Sequence, residues 1–454
     1  MSTHPASRLA LLALLASAMV DARSQTAPTA TPTPTPTPAP APAWKNIPLG
    51  EGDEAPTLSF GGKLRVRTEH WENFAFGPAN DDDFQLYRAF LNAELRLSPA
   101  LRVFAEGKSA HGDGRDLPGG NRTIDTDSLD LHQGYLEITL GLGVKESLSL
   151  RPGRQELLFG KQRLVSPLDW VNTRRTFDAV RAAYARDSLR IDAFASRLVL
   201  VDRYEFDDGD SGENFHGVHA TDKAGDSLSF DLYAFYLDKD SAKFGAATNQ
   251  EERVTLGLRL WGQPKDTAWD YDVEGAFQAG DFGDQDIRAW MIAAECGHTF
   301  RGAPGAPRVY VGYDYASGDG NGTDGEVETF NQLYPLGHAF FGFIDLVGRQ
   351  NIQDASLGAS LKPLPAVTLK VDGHWFTLAD DADALYNAGG AVGRAGGKGE
   401  DEVGSELDVT AKIDLDRRTA LLFGASRFFA GDCIQATGPA ADVDFLYASV
   451  EFGF

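Results

Sequence analysis

Residues 86–97 read LYRAFLNAELRL, and they alternate: Tyr87, Ala89, Leu91, Ala93 and Leu95 fall on one side, Arg88, Asn92, Glu94 and Arg96 on the other. Successive side chains of an extended strand point to opposite faces, so a period of two predicts a strand. The pattern returns in KLRVRTE, where Lys63, Arg65, Arg67 and Glu69 oppose Leu64 and Val66, and again in ERVTLGLRL (252–260) and ELDVTAKIDL (406–415). One apolar and one polar face suits either a sandwich surface or a membrane barrel with a wet interior.

The connections decide between these two. Eighteen segments can be drawn, from 57–69, 84–97 and 100–110, through a pair at 227–238 and 251–262, to 403–415, 417–430 and 442–454. Connections 70–83, 111–127, 158–175, 318–351 and 379–402 are long, whereas Ser98-Pro99, 141–145, Asp187, 363–365 and Asp416 are short and alternate with them. Long loops on one side, tight turns on the other and an even strand number belong to an all-β, transmembrane, antiparallel up-and-down β-barrel, here of about 18 strands, in a bacterial outer membrane. The last strand, DFLYASVEFGF, places Leu446, Ala448, Val450, Phe452 and Phe454 on one face and ends on an aromatic.

The first residues agree with export. Arg8 precedes an apolar run from Leu9 to Val20 and small-residue cleavage options, so 1–22 is read as a signal peptide, too short to span a bilayer as a helix. Residues 23–56 contain the repeat QTAPTATPTPTPTPAPAPA, an extended Pro/Thr/Ala tether that can bury nothing. Residues 57–454 form the barrel, and beyond the signal peptide no apolar run of helical membrane-spanning length occurs. Cys296 and Cys433 lack ligand-like spacing and form either one disulfide or two free thiols.

The formal charge is −24. Acidic clusters such as Asp81-Asp82-Asp83, Asp380-Asp381 and Glu400-Asp401-Glu402 sit in long loops, and the balance excludes nucleic acid as a partner. Against this background residues 151–190 carry nine Lys/Arg and four Asp/Glu. Guanidinium groups bind carboxylates in a bidentate fork, so concentrated Arg with Trp and amides suits an anionic, hydroxyl-rich ligand. The competing interpretation is that these arginines neutralise acidic neighbours inside the barrel.

Three segments, GRQELLFGKQRLVSPLDWVNTRRTFD (153–178), NQLYPLGHAFFGFIDLVGRQNI (331–352) and GSELDVTAKIDLDRRTALLFGASRFFAGD (404–432), together resemble the alginate export family of outer-membrane barrels, in the order that the family has them. The resemblance implies an eighteen-stranded monomer whose Arg/Lys-lined, anion-selective lumen releases an acidic polysaccharide such as alginate. Its partners would be the polymer, outer-membrane lipid, the barrel-assembly machinery and a periplasmic scaffold of an export complex. An uptake porin for small anions or acidic oligosaccharides shares the same barrel and is the alternative. Position by position, the resemblance implies that Arg151, Arg154, Gln155, Lys161, Arg163, Arg174 and Arg175 line the pore. Arg65, Arg67, Arg88 and Arg96 join them by strand parity, although parity sets Arg154 opposite Arg151. The apolar run around Tyr334 to His338 suggests a loop packed in the barrel mouth, either a gate or an ordinary connection.

Other constellations fail. Gly318 to Glu326 looks like a calcium loop, but Asp324 stands where that pattern requires Gly, leaving bound calcium the lesser interpretation and no cofactor expected. His216 and His219 would point to opposite faces of a strand. His132 beside Asp130 lacks a nucleophile, and the chain is read as a channel, not an enzyme.

Overall fold

The computed structural model describes residues 44–52, 55–117, 120–223, 225–396 and 398–454, so the stretch expected to be a signal peptide (1–22) and residues 23–43 of the expected tether lie outside the described residues. Eighteen long strands follow one another: β1 (Thr57–Glu72), β2 (Asp82–Ser98), β3 (Leu101–Asp113), β4 (Asp127–Gly143), β5 (Glu146–Gln155), β6 (Phe177–Arg186), β7 (Leu189–Leu200), β8 (Asp208–Asp222), β9 (Ser229–Phe244), β10 (Ala247–Gly262), β11 (Trp269–Phe282), β12 (Gln285–Thr299), β13 (Arg308–Ala316), β14 (Ile352–Leu364), β15 (Val367–Leu378), β16 (Glu402–Asp414), β17 (Thr419–Ala430) and β18 (Val443–Gly453). Each pairs antiparallel with the next, and β1 closes on β18 from Lys63 opposite Gly453 to Glu72 opposite Asp444. Closure leaves no edge to lipid, where an unpaired backbone group costs several kcal/mol.

The alternation seen in the sequence sets the two faces. Leu64 and Val66 are 44% and 41% exposed, while Arg65 and Arg67 are 7% and 3% exposed, so the apolar face is the outer one and the charged face looks inward. Tyr87, Trp290, Tyr313 and Trp375 stand outward near the long-loop end, and Phe60, Trp269, Phe300 and Phe452 near the short-turn end. Two aromatic belts around an apolar band are the surface a bilayer requires. No helix among the described residues is long and apolar enough to cross a membrane.

Three boundaries differ from expectation. β9 and β10 do not end at 238 and begin at 251; they run on to a tight turn at Gly245-Ala246. Their outer ends carry polar residues on both faces, so the ladder continues after the apolar signal has stopped. β5 ends at Gln155 and not at 157, which makes it as short as its neighbour β6, ten residues each. At the N-terminal side, Ile47 and Pro48, within the stretch expected to be tether, pair with Leu58 and Thr57. This short piece covers the β1 edge that overhangs the end of β18, as an exposed strand edge requires. Both cysteines are free thiols, Cys296 exposed and Cys433 buried.

Gly153 lies two residues before the end of β5, where the strand runs close against β4. Its φ is +126° and a Cβ there would lie 2.2 Å from the Gly134 carbonyl oxygen. Replacing Gly153 with Ala is expected to cost about 2 kcal/mol or more, because it adds left-handed strain to a backbone clash. Loss of the heat-resistant folded band at a lower temperature than in the wild type is the check, and an unchanged transition would contradict it.

Candidate channel lumen

From Glu156 the chain turns into the barrel, and residues 156–176 form an internal loop. Phe159, Leu164 and Val165 are buried there among inward aromatic residues including Phe177, Phe194, Phe215 and Phe235. Three wall guanidinium groups hold its far end. Arg65 donates to the carbonyl oxygens of Asp169 (3.0 Å) and Val171 (3.1 Å). Arg88 donates to the Asp169 carbonyl (2.9 Å) and carboxylate (2.9 Å). Arg67 donates to the Trp170 carbonyl at 2.7 Å, lies 3.9 Å over the Trp170 ring and pairs with Glu69 at 2.6 Å.

The connection between β13 and β14 also folds inward and fastens to that loop. Tyr334 N donates to the Leu164 carbonyl (2.8 Å) and Leu336 N to the Gln162 carbonyl (3.0 Å), a short parallel pairing inside the lumen. His338 stacks on Trp170 with ring centroids 3.7 Å apart, on a ring that Arg67 also contacts. Arg349, 1% exposed, binds Asp314 at 2.6 Å and the Arg163 carbonyl at 3.2 Å. The two loops therefore narrow the lumen as one interlocked body. Toward the long-loop end they leave a cavity of about 880 Å³, lined by Trp71, Trp170, Arg175, Tyr334 and His338 among others, with five Lys/Arg against five Asp/Glu.

The residues singled out in the sequence scatter across this architecture. Arg163 meets Asp272 (2.8 Å) and Glu274 (2.9 Å), and Lys161 meets Glu295 (3.2 Å). Arg174 bridges Glu156 (2.8 Å) and Asp169 (2.9 Å). Arg151 pairs with Glu137 and lies 4.4 Å over the Tyr135 ring, whereas Arg96 pairs with Glu94 at 2.9 Å at the exposed short-turn end. Arg154 and Gln155 are placed in the wall and not the lumen. Arg154 lies directly across the ladder from Asp178 and binds it at 2.8 Å, and Val180, two residues along from Asp178, faces lipid. Gln155 is fully buried and donates to the Arg151 (2.9 Å) and Gly153 (3.2 Å) carbonyls. Among the described residues, Arg65 and Arg175 are the two of these cations with no carboxylate in salt-bridge contact. Arg175 donates to the Ser166 carbonyl at 3.2 Å and lies 5.4 Å over the Tyr334 ring.

Electrostatics within the loop follow from these contacts. Burial pushes the Asp169 carboxyl up, but Arg174, Arg88, Arg65 and Lys63 pull it further the other way, well below the usual carboxylate range. Burial lowers Arg175 to about 10, which leaves it charged at neutral pH. Arg163 stays charged because Glu274, Asp272 and Asp314 outweigh its burial.

Sequence reasoning missed Arg349, Arg181, Arg259 and Lys108, all inward or buried. Arg259 was visible on the polar face of its strand; Arg349 lay in a loop that gave no parity. The expected His geometry is found: His219 is buried and His216 lies on the opposite face. Asp319 and Asp324 accept from the nearby backbone of Asn321 and Glu326, a local turn arrangement. The carboxylates of Asp127, Asp130 and Asp207 do lie close together, but the Lys108 ammonium stands 2.6 Å from Asp127 and 3.0 Å from Asp207.

The family model described as Alginate export matches residues 57–447, almost the whole barrel. The chain belongs to the alginate export family. Solved structures share its architecture at low identity. Pseudomonas aeruginosa OccD3 (OpdP) superposes with a TM-score of 0.59 at 13% identity, over 87% of this chain and 91% of that one. The outer membrane protein OpdK from Pseudomonas aeruginosa gives 0.59 at 12% identity over 87% and 98%, and OccK8 (OprE) 0.58 at 12% over the same shares. No curated protein matches the chain. This member of the alginate export family is a closed β-barrel of the bacterial outer membrane and a channel protein.

Proposed function

We propose that this channel passes an acidic polysaccharide of the alginate class outward, and that its lumen prefers anions. The observation carrying this is the manner in which Arg65 and Arg175 are held. Both guanidinium groups face the interlocked loops, yet both are bound by backbone carbonyl oxygens and not by carboxylates. A carbonyl partner is a weaker competitor than a charged one. A uronate carboxylate arriving at either group gains a charge-assisted bond without displacing an ion pair. Most of the other inward cations among the described residues, such as Arg163, Arg174 and Lys161, are already paired, so a polymer carboxylate there exchanges with Asp or Glu in shallow steps. Many weak sites let a chain enter and still leave. A periplasmic scaffold and the assembly machinery remain the partners such an exporter would use.

The test is polyuronate block of current through the full barrel in a planar bilayer. Arg65→Gln with Arg175→Gln is expected to weaken block roughly 10-fold, the worth of one or two charge-assisted bonds. Block of unchanged strength would remove these two groups from the polymer's path.

A further inference from the structure

Among the described residues, one pair of inward acids has no Lys or Arg in salt-bridge contact. Glu406 and Asp408 stand two apart on β16, on the same inner face, 2% and 0% exposed. Glu406 Oε1 accepts the backbone N–H of Ile344 at 2.9 Å. Beyond contact with each other and with Ser426, the remaining oxygen of Glu406 and both oxygens of Asp408 have no donor in good hydrogen-bond geometry. Their neighbours are committed elsewhere. Asp372, opposite Asp408, faces Lys370 (2.9 Å) and the Tyr310 hydroxyl, and His374, opposite Glu406, binds Asp354 at 2.8 Å.

A second observation comes from the adjoining strands. Ser426 lies directly opposite Asp408 on β17, and Tyr447 of β18 leans over Gly424 toward the same acid. Their hydroxyl groups, on residues 5% and 4% exposed, stand beside the acids without reaching hydrogen-bond geometry with any partner. Even with His374 protonated, Asp354, Asp372, Glu406 and Asp408 outnumber Lys370 and His374 by two negative charges. Buried carboxylates do not persist as unpaired ions.

We propose that Glu406 and Asp408, with the Ser426 and Tyr447 hydroxyls, hold a hydrated divalent cation of the hard, oxygen-preferring class, Mg²⁺ or Ca²⁺. Carboxylate, hydroxyl and water oxygens are the ligand set such ions take, and two positive charges balance the group. Where Asp127, Asp130 and Asp207 converge, Lys108 already occupies that role; here no side chain does. The ion also has a mechanical consequence. Gly342 lies so close to the Glu406 carboxyl that a Cβ would stand 2.4 Å from it, and Ile344 is hydrogen-bonded there. Neutralising the acids keeps the inner loop seated on the wall, so removal of the ion loosens the loop.

The test is the thermal transition of the full barrel in detergent micelles at pH 8, first in EDTA and then with Ca²⁺ or Mg²⁺. The wild type is expected to gain roughly 2–4 °C. Asp408→Asn, close in shape, should lose that gain. Ser426→Ala keeps both acids and should weaken the apparent affinity several-fold, which preserves the test if Asp408→Asn does not fold. Terbium luminescence excited through Tyr447 and Trp170 should fall in Asp408→Asn. A wild type that ignores both cations but gains stability on acidification in EDTA would show that the pair holds a proton instead, overturning the proposal. A full cation response in Asp408→Asn would overturn it as well, by assigning the effect to the acidic outer loops.

Discussion

Replacing Arg349 with Met should unseat the inner loops and raise single-channel conductance. Arg349 is the buried cation that ties β13 to both loops, through two bonds to Asp314 (3.0 and 2.6 Å) and one to the Arg163 carbonyl (3.2 Å). Its guanidinium also lies 4.8 Å from the Phe341 ring centroid. Removing one partner of a buried pair leaves Asp314 charged and uncompensated, at a cost of about 3–5 kcal/mol. The strands have their own ladders, so the loops bear this cost and not the barrel. The expected result is a folded protein with a larger, noisier conductance. The double variant Arg349→Met with Asp314→Leu removes both charges and should recover much of the wild-type behaviour. An Arg349→Met channel with wild-type conductance would show that the loops are held by their apolar contacts alone.

Trp170→Ala should have the second largest effect, by a different physical route. Trp170 has Arg67 at 3.9 Å and His338 at 3.7 Å against its ring, with Tyr447 edge-on at 5.1 Å. It is one of the points where one inner loop rests on the other, and here both also rest on the wall. Truncating a packed Trp costs about 3–5 kcal/mol, with a cation–π contact of about 1–2 kcal/mol included in that loss. Hydrogen exchange should accelerate in both 156–176 and 331–350, although the substitution lies in the first alone. Acceleration confined to the first segment would mean that the two loops move independently.

Much of this architecture could be drawn from the chain. Strand parity placed Arg65, Arg67 and Arg88 on the inner face, because a two-residue period survives wherever one face meets lipid. Parity set Arg154 opposite Arg151, and the unbroken register of β5 against β6 keeps it there, so it was the resemblance and not the alternation that misplaced it. Parity lost β9 and β10 beyond 238, where a bulge between Lys239 and Ala242 breaks the alternation. The inner loops were legible only as apolar stretches. Whether Leu164 and Tyr334 pack on each other or on the barrel rim depends on contacts across 170 residues of chain, and no local pattern encodes these. The charge partners are hidden for the same reason. Asp272 and Glu274 read as an ordinary polar face of β11, and only closure of the barrel brings Arg163 to them.

The most direct measurement is single-channel recording of the full barrel in a planar bilayer under a salt gradient, with polyuronate added to one side at a time. The account predicts a reversal potential favouring anions and block by polyuronate, stronger from the short-turn side, where a polymer bound outward would enter. A cation preference with no response to polyuronate would contradict it, and would mean that the inward carboxylates, and not Arg65 and Arg175, set the character of the lumen.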